Sequence, residues 1–283
     1  METSLFQPNE VHVGQDVEGR AFAVDGEDIA RYRAGTASDV GTGGVAPALT
    51  YHSECYRNLA WYLPNLIGNL HARQEWELFH PFAVGDAIRS RTTVVDRYRK
   101  RNRDYVVAEV LLTDPDGRWL QRSRTHQSFL AETPHGEMVV DRDRERRADR
   151  VFTLPEGSGE EIALAPRVVS HAMCTAFSGP SRNYHTDVEM ARALGFPDIV
   201  VQGMMSVCFV ADLLTTRFGT GFLAAGKLDV RLVNVIWPGD AITARGKVRE
   251  VAAEGSGRRV HLDVWCAKAD GTVTVIGTAS ARG

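Results

Sequence analysis

The sequence predicts an α+β fold that is built from two fused copies of one structural unit. The tetrapeptide Gly-Asp-Ala-Ile at positions 85–88 returns at positions 239–242, which is 239 − 85 = 154 residues later. The turn Asp116-Gly117 returns as Asp270-Gly271, and 270 − 116 is again 154. Two landmarks at one offset, with no gap between them, indicate an internal repeat.

Each copy reads as a helix followed by four strands. In the first copy, the apolar spacing of Leu49, Cys55, Leu59 and Tyr62 predicts a helix over Pro47–Tyr62. Runs of β-branched residues and the turn sequence Asp-Pro-Asp-Gly at 114–117 indicate antiparallel strands. The predicted strands are Leu70–His80, Asp86–Arg97, Asp104–Thr113 and Arg118–Leu130.

In the second copy, the segment Gly203–Arg217 is predicted as a helix that is apolar around most of its circumference. Such a helix must be covered on nearly all sides. The predicted strands are Leu223–Val233, Asp240–Val251, Arg258–Ala267 and Thr272–Ala281, and shorter helices are expected from Glu27 and near Arg167. A helix wrapped by an antiparallel sheet is a hot-dog fold, so the sequence predicts a double hot dog.

The two copies are separated by a segment rich in charge, proline and glycine. Between Asp141 and Arg150 the only apolar residue is Ala148, a composition typical of a linker. The predicted organisation is a substrate-binding half without a catalytic motif (1–131), a charged linker (132–161) and a half that carries the reaction centre (162–283). The second half also has the longer connection between its two helices: Ser178 and Val201 are 201 − 178 = 23 residues apart, whereas their counterparts Thr36 and Pro47 are 47 − 36 = 11 apart.

Composition excludes several classes of function. A hydrophobic content of 43%, a charged content of 24% and a net charge of −3 fit a soluble globular protein without the clustered basic face of a nucleic-acid-binding protein. The basic run 97–103 favours a solvated turn, with a docking spot for a cofactor phosphate as the alternative. No apolar run reaches the length of a membrane span, which is about 18 residues. The N-terminus lacks a secretory signal, and the four cysteines lack Cys-x-x-Cys spacing, so a cytoplasmic location is expected.

One stretch of the second half carries a recognisable motif. The residues 177–187 read Phe-Ser-Gly-Pro-Ser-Arg-Asn-Tyr-His-Thr-Asp, with Ala-Arg-Ala-Leu-Gly-Phe-Pro at 191–197 and Gln-Gly-Met at 202–204. This resembles the MaoC-like family of (R)-specific enoyl-CoA hydratases and 3-hydroxyacyl dehydratases, whose motif is aromatic-Ser/Thr-Gly-Asp-x-Asn-Pro-aliphatic-His, followed by a His-Gly-Met helix start. The resemblance runs roughly from Val17 to the C-terminus, and the first half is similar to the degenerate N-terminal half of two-domain members.

The motif also departs from the family. When it is aligned on His185 without a gap, the catalytic aspartate of the family falls on Pro180, its asparagine on Arg182 and the following proline on Asn183. A helix serine that assists the family's site falls on Ala211. Of the reactive groups that the resemblance implies, this chain keeps His185 and the glycine at the start of the helix, Gly203.

These two residues suit the chemistry that the resemblance implies. Hydration of an enoyl thioester needs a base for water, an acid for the α-carbon and a group that stabilises the enolate oxygen. The amide at a helix N-terminus can stabilise that oxygen, which is the role expected of Gly203. Pro180 has no ionisable group, so His185 alone is left to move protons near neutral pH.

The remaining candidates are expected to bind substrate: Arg182, Asn183, Tyr184, Gln202 and Met204, with Tyr51 and His52 from the first half. For several of them a structural role is the alternative. Arg182 also fits a surface cation, Tyr184 fits packing, and the aromatic residues of the first predicted helix (Tyr51, Tyr56 and Trp61) fit a core.

Two acidic residues nearby are interpreted separately. Asp187 is expected to cap the helix that contains Met190–Ala193. Asp212 is an odd charge in an apolar helix. It either lies exposed at the helix end, pairs with Arg217 or Lys227, or acts as a thioesterase-like base.

The expected function is that of a MaoC-like hydro-lyase acting on an acyl thioester of coenzyme A or an acyl carrier protein. The alternatives are a cyclisation or isomerisation in a specialised biosynthetic pathway, and a non-catalytic acyl-binding subunit. No cofactor and no metal are expected, because the sequence has neither a phosphate-binding loop nor a metal-ligand cluster. The expected partner is a small-molecule acyl substrate, without nucleic acid or membrane. A homodimer is an open alternative that no single residue indicates.

Overall fold

The structure, a computed structural model, describes residues 11–41, 44–57, 69–100, 103–130, 149–154, 156 and 158–283. The first-half strands are β1 (Asp16–Ala23), β2 (Leu70–Leu78), β3 (Ala87–Lys100), β4 (Arg103–Thr113) and β5 (Trp119–Leu130). Those of the second half are β6 (Glu161–Ala163), β7 (Arg167–Val168), β8 (Lys227–Leu232), β9 (Ala241–Glu254), β10 (Gly257–Lys268) and β11 (Val273–Arg282). The helices are α1 (Gly26–Thr36), a 3₁₀ helix (His52–Cys55), α2 (His171–Ser178), α3 (Val188–Ala193), α4 (Met204–Phe218) and α5 (Thr220–Leu223).

The strands form one antiparallel sheet that continues from the first half into the second. Its order is β1-β3-β4-β5-β2-β8-β11-β10-β9-β6, with β7 also paired to β9. The halves meet where β2 pairs with β8, and there Glu75 lies opposite Asp229. Because 229 − 75 = 154, each of these residues faces its own counterpart in the repeat, as a twofold relation between the halves requires.

The repeated Gly-Asp turns have the same geometry in both halves. The Asp86 carboxylate accepts a hydrogen bond from the Ala83 amide at 2.8 Å, and the Asp240 carboxylate accepts one from the Trp237 amide at 2.9 Å. The preceding glycines at 85 and 239 have φ of 93° and 96°, a left-handed conformation that favours glycine. The local sequence therefore accounts for the turn in each copy.

The helix α4 forms the centre of the second half, as its apolar circumference predicts. Every residue from Met204 to Thr215 is buried, and the helix packs on β9, β10 and β11. Burying a side chain such as Phe209 or Leu214 contributes about 1.5–3 kcal/mol. This packing fixes the position of the helix N-terminus at Gly203.

The corresponding segment of the first half differs from its prediction. Instead of an α-helix, residues 48–57 form turns and the 3₁₀ helix; residues 58–62 lie outside the described part. Pro47 has no amide hydrogen, and its carbonyl accepts from the Thr50 hydroxyl at 2.8 Å. The buried Glu54 carboxylate accepts from the Arg20 side chain at 3.0 Å. These contacts favour i to i+3 turns over an α-helix.

The described part of the predicted linker lies against the second half. The Arg150 amide donates to the Asn234 side chain at 2.8 Å, and that side chain donates to the Arg150 carbonyl at 2.9 Å. Phe152 packs on the cluster that contains Trp265. Residues 131–148 of this region lie outside the described part. The domain bounds stay a prediction. Within the described ranges, no helix has the length and apolar character needed to cross a membrane.

Candidate functional site

His185 lies in the loop between α2 and α3, held against the segment that precedes α4. The Val200 amide donates to the Tyr184 carbonyl at 3.2 Å, and the His185 Nδ1 lies 2.6 Å from the Val200 carbonyl oxygen. A carbonyl oxygen only accepts, so Nδ1 carries the proton. The tautomer therefore leaves a lone pair on Nε2.

Burial lowers the pKa of His185 to about 4, against the smaller raising effect of the Val200 carbonyl. The charged imidazolium is disfavoured because the ring has lost most of its water. At neutral pH the side chain is a neutral imidazole with one free lone pair. This is the form that accepts a proton.

Asn183 builds the loop that presents His185. Its side-chain oxygen accepts from the His185 amide at 2.8 Å, while its amide nitrogen donates to the Ser178 carbonyl at 3.1 Å and the Ser181 carbonyl at 3.0 Å. These bonds satisfy three backbone groups of the loop at once. Asn183 is thus placed as a positioning residue for the histidine.

The start of α4 lies in the same stretch of chain as the carbonyl that holds His185. Gly203 occupies the N-cap position, and a Cβ there would lie 2.1 Å from Cδ2 of Leu232. Gln202 accepts a hydrogen bond from the Ser178 hydroxyl at 3.2 Å. Met204 is fully buried in the core. The loop and the helix start are therefore tied together through Ser178 and Gln202.

Arg182 and Tyr184 flank the histidine in different ways. The Arg182 side chain is 63% exposed and forms ion pairs with Asp187 and Glu189. Tyr184 lies with its ring centroid 4.0 Å from that of His185 and also stacks on Phe196. Asp187 accepts from the Met190 amide at 2.9 Å, so its prediction as a helix cap is confirmed.

The two candidates from the first half lie in different surroundings. Tyr51 is buried in the first-half core beside Phe82, and its hydroxyl accepts from the Asp25 amide at 3.0 Å. His52 stacks on Phe177 of α2, with ring centroids 4.1 Å apart and an interplanar angle of 12°. The fold therefore brings His52, but not Tyr51, next to the helix that leads into the His185 loop. Trp61 lies outside the described residues.

The sequence interpretation missed the partners of Asp212. This carboxylate is 1% exposed and accepts from Arg167 at 2.7 Å and from the Tyr32 hydroxyl at 3.3 Å. Burial raises its pKa. The two expected partners pair elsewhere, Arg217 with Glu160 and Lys227 with Glu77. Because Tyr32 belongs to α1 and Arg167 to β7, the buried charge joins the two halves, and no local spacing indicates this contact.

A pocket with a volume of about 400 Å³ opens beside α1 and contains none of the predicted site residues. Its lining consists of Gly26, Ile29, Arg33, Gly41, Gly44, Val45 and Val84. Among the residues that the structure describes, no group of three or more His, Cys, Asp or Glu side chains could hold a metal ion.

Comparison with known proteins identifies a family match for most of the second half. Residues 159–270, which include both His185 and Gly203, match the family described as MaoC like domain. No curated protein sequence matches the chain significantly.

Solved structures show the same architecture over nearly the whole chain. A MaoC-like dehydratase from Phytophthora capsici is 18% identical, with a TM-score of 0.69 over 95% of this chain and 95% of that one. HtdX from Mycobacterium tuberculosis is 19% identical, with a TM-score of 0.61 over 95% of this chain and 99% of that one. A conserved hypothetical protein from the same organism, described as a double hotdog fold, is 12% identical, with a TM-score of 0.63 over 97% of each chain. At these identities the likeness establishes the fold, and the predicted α+β double hot dog is confirmed.

Proposed function

We propose that this protein is a hydro-lyase, a hydratase or dehydratase of the MaoC-like type, that acts on an acyl thioester of coenzyme A or an acyl carrier protein. His185 is the acid and base, and the Gly203 amide stabilises the enolate. The observation that carries the proposal is the bond from His185 Nδ1 to the Val200 carbonyl, because it leaves Nε2 as a base. The match of residues 159–270 to the MaoC like domain supports the same reaction class.

One imidazole is enough for both proton transfers of the hydration reaction. Nε2 removes a proton from water as the water oxygen bonds to the β-carbon of the enoyl thioester. The electron pair of the double bond moves to the thioester oxygen, where the amide hydrogens at the start of α4 stabilise the enolate. The imidazolium then returns its proton to the α-carbon, and dehydration is the same path in reverse.

Pro180 gives this mechanism its distinctive feature. The position that carries an aspartate in the family motif has no ionisable group here, and Arg182 is engaged by two surface carboxylates. A second acid–base group is worth roughly 10²–10⁴-fold in rate, so this chain is expected to work more slowly than a site with both groups.

The proposal assigns different tasks to the two halves. Residues 162–283 hold the reaction centre, residues 1–131 form a wall of the substrate site around His52, and residues 132–161 connect them. A cytoplasmic location follows as part of the proposal and fits the four cysteines, which are all free and buried. Whether the chain forms a homodimer stays a prediction.

The decisive experiment follows the conjugated absorbance of crotonyl-CoA and longer enoyl-CoAs. Turnover should fall about 10²–10⁴-fold in His185→Ala. The matched control is His171→Ala, because His171 is an exposed histidine on α2 that pairs with Asp198. Equal loss in both variants, or full turnover in His185→Ala, contradicts the role of His185.

The pH dependence tests the protonation state. Because the pKa of His185 is lowered to about 4, kcat/KM should stay level from pH 9 down to pH 6 and fall as the pH approaches 4. An acid limb near the usual histidine pKa of about 6.5 would mean that the working base is a solvated group.

The alternative, an isomerisation or cyclisation, is favoured by one observation: Pro180 occupies the aspartate position of the motif, so His185 alone is kept of the motif's two proton-transfer groups. Such a reaction needs a proton shuttle and no activated water. Absence of hydration by the native chain, with hydration gained in the Pro180→Asp/Arg182→Asn variant, would support this alternative. Tight binding of acyl thioesters without turnover in either protein would support a non-catalytic acyl-binding subunit.

A further inference from the structure

The inner face of the first half-sheet is polar where that of the second is apolar. Leu78 pairs with Gln121 in the first half, and Leu232 pairs with Val275 in the second. Because 232 − 78 and 275 − 121 both equal 154, the two rows correspond residue by residue. The buried inner row of β5 is Gln121, Ser123, Thr125 and Gln127, whereas the matching row of β11 is Val275, Gly277, Ala279 and Ala281.

Part of this polar row holds the chain's own backbone. Gln121 Nε2 donates to the Ala48 carbonyl at 2.5 Å, and the Ser123 hydroxyl lies 3.2 Å from the Cys55 sulfur. These contacts anchor the irregular segment 47–57, whose carbonyls are not satisfied within an α-helix. They account for polar residues at this end of the row, although Gln121 Oε1 itself has no partner.

The other end of the row forms a polar cluster, defined by Asn69, His71, Gln74 and Gln127. His71 lies opposite Gln127 in the pairing of β2 with β5, and Asn69 shares that face by strand alternation. Gln74 Oε1 accepts from the Thr125 hydroxyl at 2.8 Å and from His71 Nε2 at 2.9 Å. These bonds orient the Gln74 amide and fix the His71 tautomer.

Two amide oxygens of the polar cluster are left without a partner. Asn69 Oδ1 and Gln127 Oε1 are buried and accept no hydrogen bond. An unsatisfied buried oxygen costs free energy and calls for an explanation. The fold does not need the Gln127 amide, since its counterpart at 127 + 154 is the buried residue Ala281.

The polar cluster is linked to the candidate site through one turn of chain. The Tyr56 hydroxyl lies 3.3 Å from His71 Nδ1, while His52, four residues earlier, stacks on Phe177. Phe177 precedes Ser178, which bonds to Gln202 next to the start of α4. The segment 52–56 therefore contacts both the polar cluster and the helix that leads into the His185 loop.

We propose that the polar cluster binds hydroxyl groups on the acyl tail of the substrate, so that the protein prefers hydroxylated acyl thioesters over plain alkyl ones. This inference rests on the proposed function, because it requires the thioester to lie at His185. A hydroxyl group donates to either unpartnered amide oxygen and also accepts, whereas an alkyl tail leaves both oxygens buried and unpaired. The pantetheine arm of coenzyme A also bears a hydroxyl group, so the test separates tail from carrier.

The experiment compares two enoyl-CoAs of equal chain length, one with hydroxyl groups on the distal tail and one without. The expected preference in kcat/KM is about 10²-fold for the hydroxylated tail, since two buried amide oxygens stay unpaired beside the alkyl tail. Gln127→Leu should reduce this preference to a few-fold. The matched control is Ser123→Ala on the same strand, which should retain the preference because its hydroxyl contacts Cys55.

The other outcomes of this experiment either support or overturn the preference for a hydroxylated tail. Turnover of both substrates at equal rates, or faster turnover of the alkyl one, overturns the hydroxyl inference and leaves the hydro-lyase proposal standing. If neither turns over, calorimetry with the saturated thioesters decides: a preference for the hydroxylated tail that Gln127→Leu removes supports the inference, and equal affinities overturn it. Binding of coenzyme A alone that depends on Gln127 also overturns it, because the cluster would then recognise the carrier.

Discussion

The two halves share one sheet framework and fill its inner face by opposite means. In the second half, α4 is held by burial of apolar side chains such as Phe209 and Leu214. In the first half, the segment 47–57 is held by a hydrogen bond from Gln121 and by the ion pair between Arg20 and Glu54. The register of β2 with β5 from Arg73 to Leu78 is the same as that of β8 with β11. The residues on the inner face of each half-sheet match what they cover: apolar side chains face α4, and polar side chains face the segment 47–57.

The largest change in the free energy of unfolding is expected when one inner-face residue is exchanged between the halves. Leu228 and Gln74 are counterparts, since 74 + 154 = 228, and they are 2% and 0% exposed. Leu228→Gln places an amide without partners against the apolar core and should lower the free energy of unfolding by about 5 kcal/mol. Gln74→Leu removes the acceptor for Thr125 and His71 and should cost about 2 kcal/mol.

Denaturant titrations of both variants measure this exchange. Leu228→Met is the control for shape alone and should cost under about 1.5 kcal/mol. If Leu228→Gln and Gln74→Leu are equally destabilising, the inner faces do not differ as described.

The sequence predicts the elements that have a local pattern and misses the segment that tertiary contacts hold. The strands and α4 are predictable, because alternation and an apolar circumference are local patterns. The segment 47–57 is not, because Leu49 and Cys55 fit helical spacing while the contact from Arg20 to Glu54 is tertiary. His185 and Gly203 are identifiable from the motif.

What the sequence does not give is the state of these site residues. The tautomer of His185 depends on the Val200 carbonyl, its low pKa depends on burial, and the partners of Asp212 lie far away in the chain. Two groups that come into contact only after the chain has folded produce no spacing pattern in the sequence.

Breaking the buried ion pair at the junction of the halves should give the next largest loss of stability. Arg167→Met leaves the Asp212 carboxylate buried without a counter-charge, with hydrogen bonds only from neutral hydroxyl groups such as that of Tyr32, and should cost about 3 kcal/mol. Arg245→Met is the control, because the Arg245 pair with Glu161 is solvent-exposed and should cost under about 1 kcal/mol.

A double variant sharpens this test. Arg167→Met/Asp212→Leu should recover most of the stability, since no unpaired charge is left in the core. Equal unfolding free energies for Arg167→Met and Arg245→Met would show that the pair does not join the halves energetically.

Acid should destabilise the first half at His52, whose counterpart in the second half does not titrate. Burial lowers the pKa of His52 to about 4, and its counterpart at 52 + 154 is Ser206. Between pH 6.5 and 4 the unfolded chain binds the proton that the folded chain excludes, so stability is complete above pH 6.5 and is lost as the pH falls toward 4. The loss due to His52 between pH 7 and pH 5 is about 2 kcal/mol.

The measurement is denaturant unfolding of the native chain and His52→Gln at both pH values. The variant should lose about 2 kcal/mol less than the native chain over this interval. An unchanged pH dependence would mean that His52 is solvated in the folded protein.

The smallest change in stability is expected at the repeated Gly-Asp turn, where the two halves are most alike. Asp86 and Asp240 accept the same backbone hydrogen bond, but Asp240 is also 2.9 Å from the Lys268 amine, which is 10% exposed. Asp86→Ala should therefore cost about 0.5–1 kcal/mol, and Asp240→Ala about 1–2 kcal/mol because the largely buried Lys268 loses its counter-charge. Thermal unfolding of the two variants, with Lys268→Met added to each, checks the difference. In the Lys268→Met background both aspartate substitutions should cost the same, since the turn itself is identical; a difference that persists there would place its origin in the turn backbone.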